Sequence, residues 1–450
     1  MILKKVFKYK FINYLKTSKL ILTGKKIYNG QINKNVKYKE NVKMIKNKDF
    51  YVLLLGRLIT NFGDSLYAIA STLLVYKMSG STIYSGITLF LTSSTAIVQL
   101  LLSPILDKIN MKKFLILSQF FQAVLILIIP FLYKFGKLNV YHIMVIMPII
   151  SLINQLVYPG QISLLPKILS EKELVTGNSL MTMAYQGSNA IFDTLAGFII
   201  SIFGFMAAFY TDSISFILTG ILFCFLSKKL SHSKKCEDKF EGNIIKNHFR
   251  SLKDGLSLFK DSRIFALVFG IVFINFSATL ISAVLPAFAQ NEIFYSLLLA
   301  GMGAGLLLGS LFAGFPKLKE ISLGKLYIYG MMVVALAWML FSNFQNNIKI
   351  GVVLYGLGWF VVGVVNVYAQ TMVQIIVPSE KIGSAMGAMV GISTFMAPLG
   401  ALLGGCLGEY LSSSKAIFIG SLIILIVAVF WALNENIRKL PSVNKFHKII

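Results

Sequence analysis

Apolar residues run along this chain in long blocks, and polar residues gather in short clusters between them. Twelve blocks can be cut, at roughly 50–76, 82–104, 114–133, 140–161, 177–201, 205–227, 264–289, 295–315, 324–343, 349–370, 384–408 and 414–434. A run of about 18 or more apolar residues is what a helix needs to cross the hydrocarbon of a bilayer. The pattern therefore predicts an all-α membrane protein of twelve transmembrane helices, with most of its surface against lipid.

Composition agrees with that pattern. The 450 residues are 56% hydrophobic and 14% charged, where a soluble domain averages about 25% charged. The net charge of +25 invites a nucleic-acid reading, which needs basic residues spread over a solvated surface. Their positions argue otherwise. In alternate loops, 37 Lys and Arg fall on one side, 5 on the other, and Arg57 lies within a span. This is the positive-inside asymmetry, and it predicts a cell-membrane protein with both termini cytoplasmic and no nucleic-acid partner. The 3 cysteines show no paired spacing. Residues 1–49 carry 14 Lys without a continuous apolar core, so they do not read as a signal peptide. They read as a basic cytoplasmic tail attracted to anionic lipid; a start of translation at Met44 is the other reading.

An internal repeat divides the chain. Ile83-Tyr84-Ser85 entering the second span is echoed by Phe294-Tyr295-Ser296 entering the eighth, an offset of 211. Ser170-Glu171-Lys172 is echoed by Ser379-Glu380-Lys381, an offset of 209. Two similar offsets in the same order predict parallel six-helix halves: an N-terminal bundle 50–227, a basic linker 228–263, a C-terminal bundle 264–434 and a tail 435–450. Glycines recur at four-residue spacing at Gly301, Gly305 and Gly309, at Gly383, Gly387 and Gly391, and at Gly400, Gly404 and Gly408. Such stripes let helices approach closely, either as fixed packing or as surfaces that slide when the halves rock.

No phosphate-binding loop, zinc motif or other catalytic signature is present, so neither an enzyme, a metal site nor a cofactor is expected. Ionisable groups inside hydrocarbon cost about 2.5–3.5 kcal/mol on insertion scales and are functional candidates by default. The acids well inside spans are Asp64, Asp193 and Asp212, all in the first half. Asp64 is the best placed. Arg57, Asn61 and Asp64 share one helical face by i, i+4, i+7 spacing, and Asp64 sits about 21 Å along its helix, near the bilayer midplane. There a carboxyl is poised to carry a proton; a standing hydrogen bond or an ion pair with Arg57 is the structural alternative, and Arg57 has the further option of reaching the headgroups. For Asp212 a hydrogen bond to Ser213, Ser215 or a neighbouring helix is the plainer reading. Mid-span amides at Gln155, Gln186, Asn275, Asn366 and Gln370 each read alone as helix–helix glue, but together they predict a shared cavity. Phe62, Tyr67, Tyr158, Phe273, Phe276 and Tyr368 lie close enough in sequence to provide its apolar wall.

The loop after the second span, from Ser103 through Asp107-Lys108 and Asn110 to Lys112-Lys113, resembles the signature loop of the major facilitator superfamily. Asp107, Lys108, Lys112 and Lys113 match; Ser103 and Asn110 replace its two glycines. In this loop Asp107 is expected to cap a helix end and the basic residues to latch the halves. The stretches 56–65, 165–178 and 208–216 are similar to the macrolide-efflux and enterobactin-exporter branch. That resemblance implies helices 1, 4, 7 and 10 around the cavity, helices 2, 5, 8 and 11 at the interface, and proton-coupled export. It departs at Phe192-Asp193-Thr194-Leu195-Ala196-Gly197, where such exporters often carry a Gly-Pro kink; the eleventh helix keeps Ala397-Pro398-Leu399-Gly400. The missing kink directs attention to Asp193, as a second titrating group or a paired structural acid. The expected protein is a monomeric secondary transporter of small hydrophobic or cationic molecules, exchanging them for protons. An exporter of a metabolite, peptide, siderophore or lipid, and a transport-inactive sensor or immunity protein, remain as other readings.

Overall fold

The computed structural model describes residues 47–102, 109–227, 230, 261–376, 389 and 391–446. Among them there is no strand. The first half contains α1 (Lys48–Ser79), α2 (Thr82–Leu102), α3 (Met111–Lys134) and α4 (Val140–Ile168). Helix α5 starts at Glu171–Thr182, passes through a π-helical turn at Met183–Gly187, and resumes at Asn189 up to Gly204. There φ is +79°, a backbone conformation that glycine adopts without a Cβ penalty, and α6 runs on from 205 to 224 without a loop. The second half comprises α7 (Ser262–Ala289), α8 (Glu292–Phe312), α9 (Leu323–Phe341), α10 (Ile348–Ile376), α11 (Ala397–Tyr410) and α12 (Ser413–Leu433). Among the described residues, ten helical segments are long and apolar enough to span a membrane.

Helix ends are closed by side chains, because the first N–H groups of a helix have no intrahelical acceptor. Asn47, Asn110, Asn139, Asp261, Asn291 and Ser412 each accept from the first turn of the helix that follows. Asn47 also donates to Ile168 O at 2.6 Å, tying the start of α1 to the end of α4. Trp338 and Trp431 are buried packing residues. Their indoles donate to Tyr355 O and Ala266 O, and they lie where Gly358 and Gly270 leave room.

Within the first half, α1 packs on α5 and α6, and α3 on α6; within the second, α7 packs on α11, α8 on α10 and α9 on α12. The halves meet along α2–α11 and α5–α8, the interface that the family resemblance implied. These two seams are related by the repeat. In one, Thr82 Oγ1 donates to Gly405 O at 2.7 Å; in the other, Ser296 Oγ, which aligns with Ser85 one turn beyond Thr82, donates to Gly197 O at 2.9 Å. Gly197 and Gly405 are 208 positions apart. So are Ser188, where α5 breaks after its π turn, and Met396, where α11 restarts with Pro398 in its first turn. Helix α5 thus lacks the proline kink but is interrupted at the symmetry-related place.

Most of the glycine stripes are fixed packing inside the second half. Gly301, Gly305 and Gly309 lie against the α10 backbone at Val352, Gly356 and Phe360. Gly400 and Gly404 lie against α7 at Phe276 and Leu280, whereas Gly405 and Gly408 face Thr82 across the halves. Gly383 and Gly387 lie outside the described residues.

The contacts between halves close the bundle towards its distal face, the one opposite residues 47 and 435–446. Lys77 at the end of α1 pairs with Glu292 at the start of α8. Glu409 of α11 accepts from Ser81 Oγ at 2.8 Å and from Thr82 N at 2.9 Å, so it caps α2 from the other half. A carboxylate in that position is favoured by the α2 dipole as well as by its donors. Removing a helix cap costs about 1 kcal/mol. Glu409→Ala is therefore expected to shift the population roughly fivefold away from the distally closed state. Spin labels at Met78 and Ile293, in a background with the native cysteines replaced, report this as a longer distance component. An unchanged distance distribution would remove Glu409 from the closure.

Candidate functional site

The α1 stripe predicted from sequence forms a continuous buried network. Arg57, only 1% exposed, donates from Nε to Asn61 Oδ1 at 2.6 Å and from Nη2 to Asp64 Oδ2 at 2.9 Å. Its guanidinium lies 4.9 Å from the Tyr185 ring centroid and 5.9 Å from that of Tyr158. These two rings stack at 4.1 Å and 15°. A planar, weakly hydrated guanidinium suits an aromatic face and a carboxylate together. Arg57 therefore does not reach for the headgroups; it is held in the bundle by four neighbours, Asn61, Asp64, Tyr158 and Tyr185.

Asn61 explains how the π turn is tolerated. A π turn takes carbonyls out of the regular i→i+4 ladder, and in hydrocarbon each such group needs a partner. Asn61 Nδ2 lies 2.8 Å from Ala184 O, 2.7 Å from Tyr185 O and 2.9 Å from Ser188 Oγ. One amide on α1 thus holds both the interrupted stretch of α5 and the guanidinium of Arg57.

On its other side, Asp64 Oδ1 accepts from Asn154 Nδ2 at 2.6 Å. Asn154 Oδ1 in turn accepts from Gln122 Nε2 at 2.6 Å, and Gln119 Nε2 reaches Gln122 Oε1 at 3.2 Å. The carboxylate is thus oriented by α4, and α4 by α3. Sequence reasoning selected Gln155 and overlooked Asn154, Gln122 and Tyr185. The signal was present: Ser151, Asn154 and Tyr158 follow i, i+3, i+7 and share the α4 face that meets α1.

Beside this network lies a cavity of about 450 Å³, within the roughly 300–1,000 Å³ typical of small-molecule sites. Its wall includes Asp64, Tyr67, Gln155, Tyr185 and Asp193 from the first half, and Thr279 and Ser282 from α7. Asp193 takes a hydrogen bond from Ser65, and its neighbour Phe192 packs edge-on against Phe62 at 5.5 Å. The cavity draws on α1, α2, α4, α5 and α7; α10, expected to line it, does not contribute.

Several predicted residues lie elsewhere. Asp212 is fully buried behind α1, where a Cβ on Gly63 would overlap its Oδ1. That oxygen accepts from Ser215 Oγ at 3.3 Å, and Oδ2 has no partner. Asn275 donates to Ser393 O at 2.8 Å, joining α7 to the helical residues 391–395 that precede the turn at Met396. Asn366 and Gln370 are exposed on α10. Gln186 belongs to the π turn, and its side chain is outside the described residues. So are Asp107 and Lys108 of the signature loop. Lys112 works within its own half, donating to Cys224 O and Leu226 O at the end of α6, a favourable place for a cation. Lys113 is exposed; its N–H is bonded by Asn110, which replaces the family's glycine as the α3 cap.

Residues 53–397 match the Major Facilitator Superfamily. Two Bacillus subtilis (strain 168) relatives are "Uncharacterized MFS-type transporter" proteins. YvqJ is 25% identical over 86% of this chain and 92% of its own length; YfiS is 22% identical over 87% and 94%. Among solved structures, a mutant of the nucleoside transporter NupG has a TM-score of 0.63 at 16% identity, over 86% of this chain and 99% of that one. A bacterial homologue of the human lysosomal transporter Spinster, in an inward-facing and unoccupied conformation, has a TM-score of 0.62 at 12% identity, over 89% and 97%. With a family match spanning most of its length and a fold shared with solved transporters, the chain belongs to the Major Facilitator Superfamily and is a multi-pass membrane transporter.

Proposed function

We propose that this transporter exports small hydrophobic or cationic compounds in exchange for protons, as the resemblance to the macrolide-efflux and enterobactin-exporter branch implies. The observation that carries the reading is the placement of charge around the cavity. Asp64 and Asp193 face it, while the cation that balances Asp64 is sealed behind the wall, against the stacked rings of Tyr185 and Tyr158. A cationic or neutral lipophile meets carboxylates and aromatic surface there, and an anion meets repulsion.

The same arrangement supports exchange. A proton and a cationic substrate compete for the Asp64 carboxylate, so loading one releases the other. When Asp64 is neutral, Arg57 keeps its bond to Asn61 and its contact with the tyrosine rings but loses its counter-charge, with Nη1 already lacking a partner. Breaking one side of a buried pair costs about 3–5 kcal/mol. Reversing a two-state equilibrium from 1:99 to 99:1 takes about 5.5 kcal/mol. The charge state of this one pair is therefore of the size needed to bias which face opens.

Three outcomes follow. Asp64→Asn should fold and insert normally yet lose uphill export of a lipophilic cation from proteoliposomes under an imposed pH gradient; full gradient-driven transport by that variant would falsify the assignment. Asp193→Asn should raise KM for a cationic substrate about tenfold, equivalent to about 1.4 kcal/mol, with little change for a neutral one, and an equal change for both would make Asp193 a structural residue. Arg57→Gln leaves the half-buried Asp64 carboxylate with Asn154 but no counter-charge, so thermal melting in detergent should show a loss below the roughly 3–5 kcal/mol of a fully buried broken pair. Adding Asp64→Asn to it should restore most of that stability, and strictly additive losses would mean that the two side chains are not coupled.

A further inference from the structure

A second cavity, of about 380 Å³, opens sideways between α8, α9 and α10 near the face that bears the termini. Its walls are apolar, with Phe312, Tyr329, Val333, Phe360 and Val364 among them, and Lys325 is its charged wall residue. Tyr329 and Val333 are 61% and 42% exposed, so the groove faces the lipid and is separate from the central cavity. Gly330 forms its floor: a Cβ there would press on Val361 and Val365 of α10. From Lys325 to Val333 the groove runs about 12 Å along α9 at 1.5 Å per residue. The hydrocarbon of one leaflet is about 15 Å deep. An apolar trough of that length, open to the bilayer and capped by a charge, has the dimensions of an acyl chain below its headgroup.

The rim specifies the headgroup. Lys317 and Lys319 lie on the short 3-10 turn Pro316–Glu320 that leads into α9. The short helix Val443–Phe446, carrying Lys445, packs against that turn. None of Lys317, Lys319, Lys325 and Lys445 makes an ion pair among the described residues, and the acid in this cluster is Glu320. Lys439 and Arg438 nearby are already engaged by Glu435. Four unpaired ammonium groups against one carboxylate attract anionic phospholipid, at about 1 kcal/mol per residue near the surface. The loop-charge asymmetry assigns this face to the cytoplasm, the leaflet where anionic lipids carry the negative potential.

We propose that the α8–α9–α10 groove is a binding site for an anionic phospholipid, with one acyl chain along α9 between Lys325 and Val333 and the phosphate against the lysine rim. The lipid fills a gap that Gly330 leaves in the outer wall of the second half. It thereby braces the three helices without touching the central cavity.

The test counts lipid retained by the full-length protein. Purified protein in detergent is titrated separately with dioleoyl phosphatidylglycerol and dioleoyl phosphatidylcholine, and bound lipid is measured by native mass spectrometry. The wild type should retain phosphatidylglycerol preferentially. Lys325→Gln should weaken that retention about fivefold while leaving phosphatidylcholine unaffected. Val333→Trp, at a position already facing lipid, should block the groove and remove the preference; Gly330→Leu should do the same from its floor, and Val333→Trp carries the test if Gly330→Leu does not fold. Equal retention of the two lipids by the wild type overturns the site. So does undiminished phosphatidylglycerol retention in both Lys325→Gln and Val333→Trp, which places the lipid elsewhere. Displacement of the lipid by inorganic phosphate alone also overturns it, because the acyl groove would then contribute nothing.

Discussion

Inside hydrocarbon a polar group has only the protein to bond with, and the organisation of this bundle follows from that restriction. Regular helices meet it by themselves. At the breaks in α5 and before α11, another helix supplies the missing partner. The π turn of α5 is the plainest case: its Ala184 and Tyr185 carbonyls are taken up by Asn61 of α1. The break before α11 is treated in the same way, with Asn275 of α7 donating to Ser393 O and Thr279 to Ala397 O. The two breaks are symmetry-related, and so are their rescuers, each an asparagine midway along the first helix of its half. A feature that looks like isolated polar glue in sequence is thus one end of a repeated device: an interrupted helix and the amide that permits the interruption.

The repeat stops at charge. Thr82 with Gly405 and Ser296 with Gly197 make matching seams, so the two halves contribute equally to the surface on which they rock. The carboxylates of the central cavity, however, both come from the first half, and the second offers hydroxyls from Thr279 and Ser282. A symmetric frame with asymmetric electrostatics separates two jobs. The seams set which faces can close, and the first half sets what charge the cavity holds when they do.

Much of this was legible in the sequence, because each signal was periodic. Span length, loop charge and the offset repeat are long-range regularities that survive uncertainty at any one position, and the twelve helices follow from them. The Arg57–Asn61–Asp64 stripe was legible for the same reason, since i, i+4, i+7 spacing fixes a common face. What escaped was the choice of partner across helices. Gln155 and Asn154 are adjacent and chemically alike, yet they point about 100° apart on α4, and only the packing of α4 against α1 selects Asn154 as the ligand of Asp64. The stripe on α8 left fixed packing and sliding both open, and the structure shows fixed packing. Glycine spacing shows that a backbone approaches, but not whether the approaching helix belongs to the same half, and here it is α10.

The position of Arg57 also limits how the cavity can evolve new specificity. A cation placed in the open wall would pair with any anionic solute and neutralise the carboxylates for cationic ones. Placed behind the wall, against the stacked Tyr158 and Tyr185 and fixed by Asn61, it balances Asp64 without being offered to the solute. The arrangement depends on all three neighbours together. Loss of the tyrosine faces would leave a desolvated guanidinium with two bonds, and loss of Asn61 would free both the guanidinium and the π turn at once. Wall residues such as Leu89 and Gln155 carry no such linkage, so they are the positions at which substrate preference can change while the charge pair and the helix interruptions stay in place.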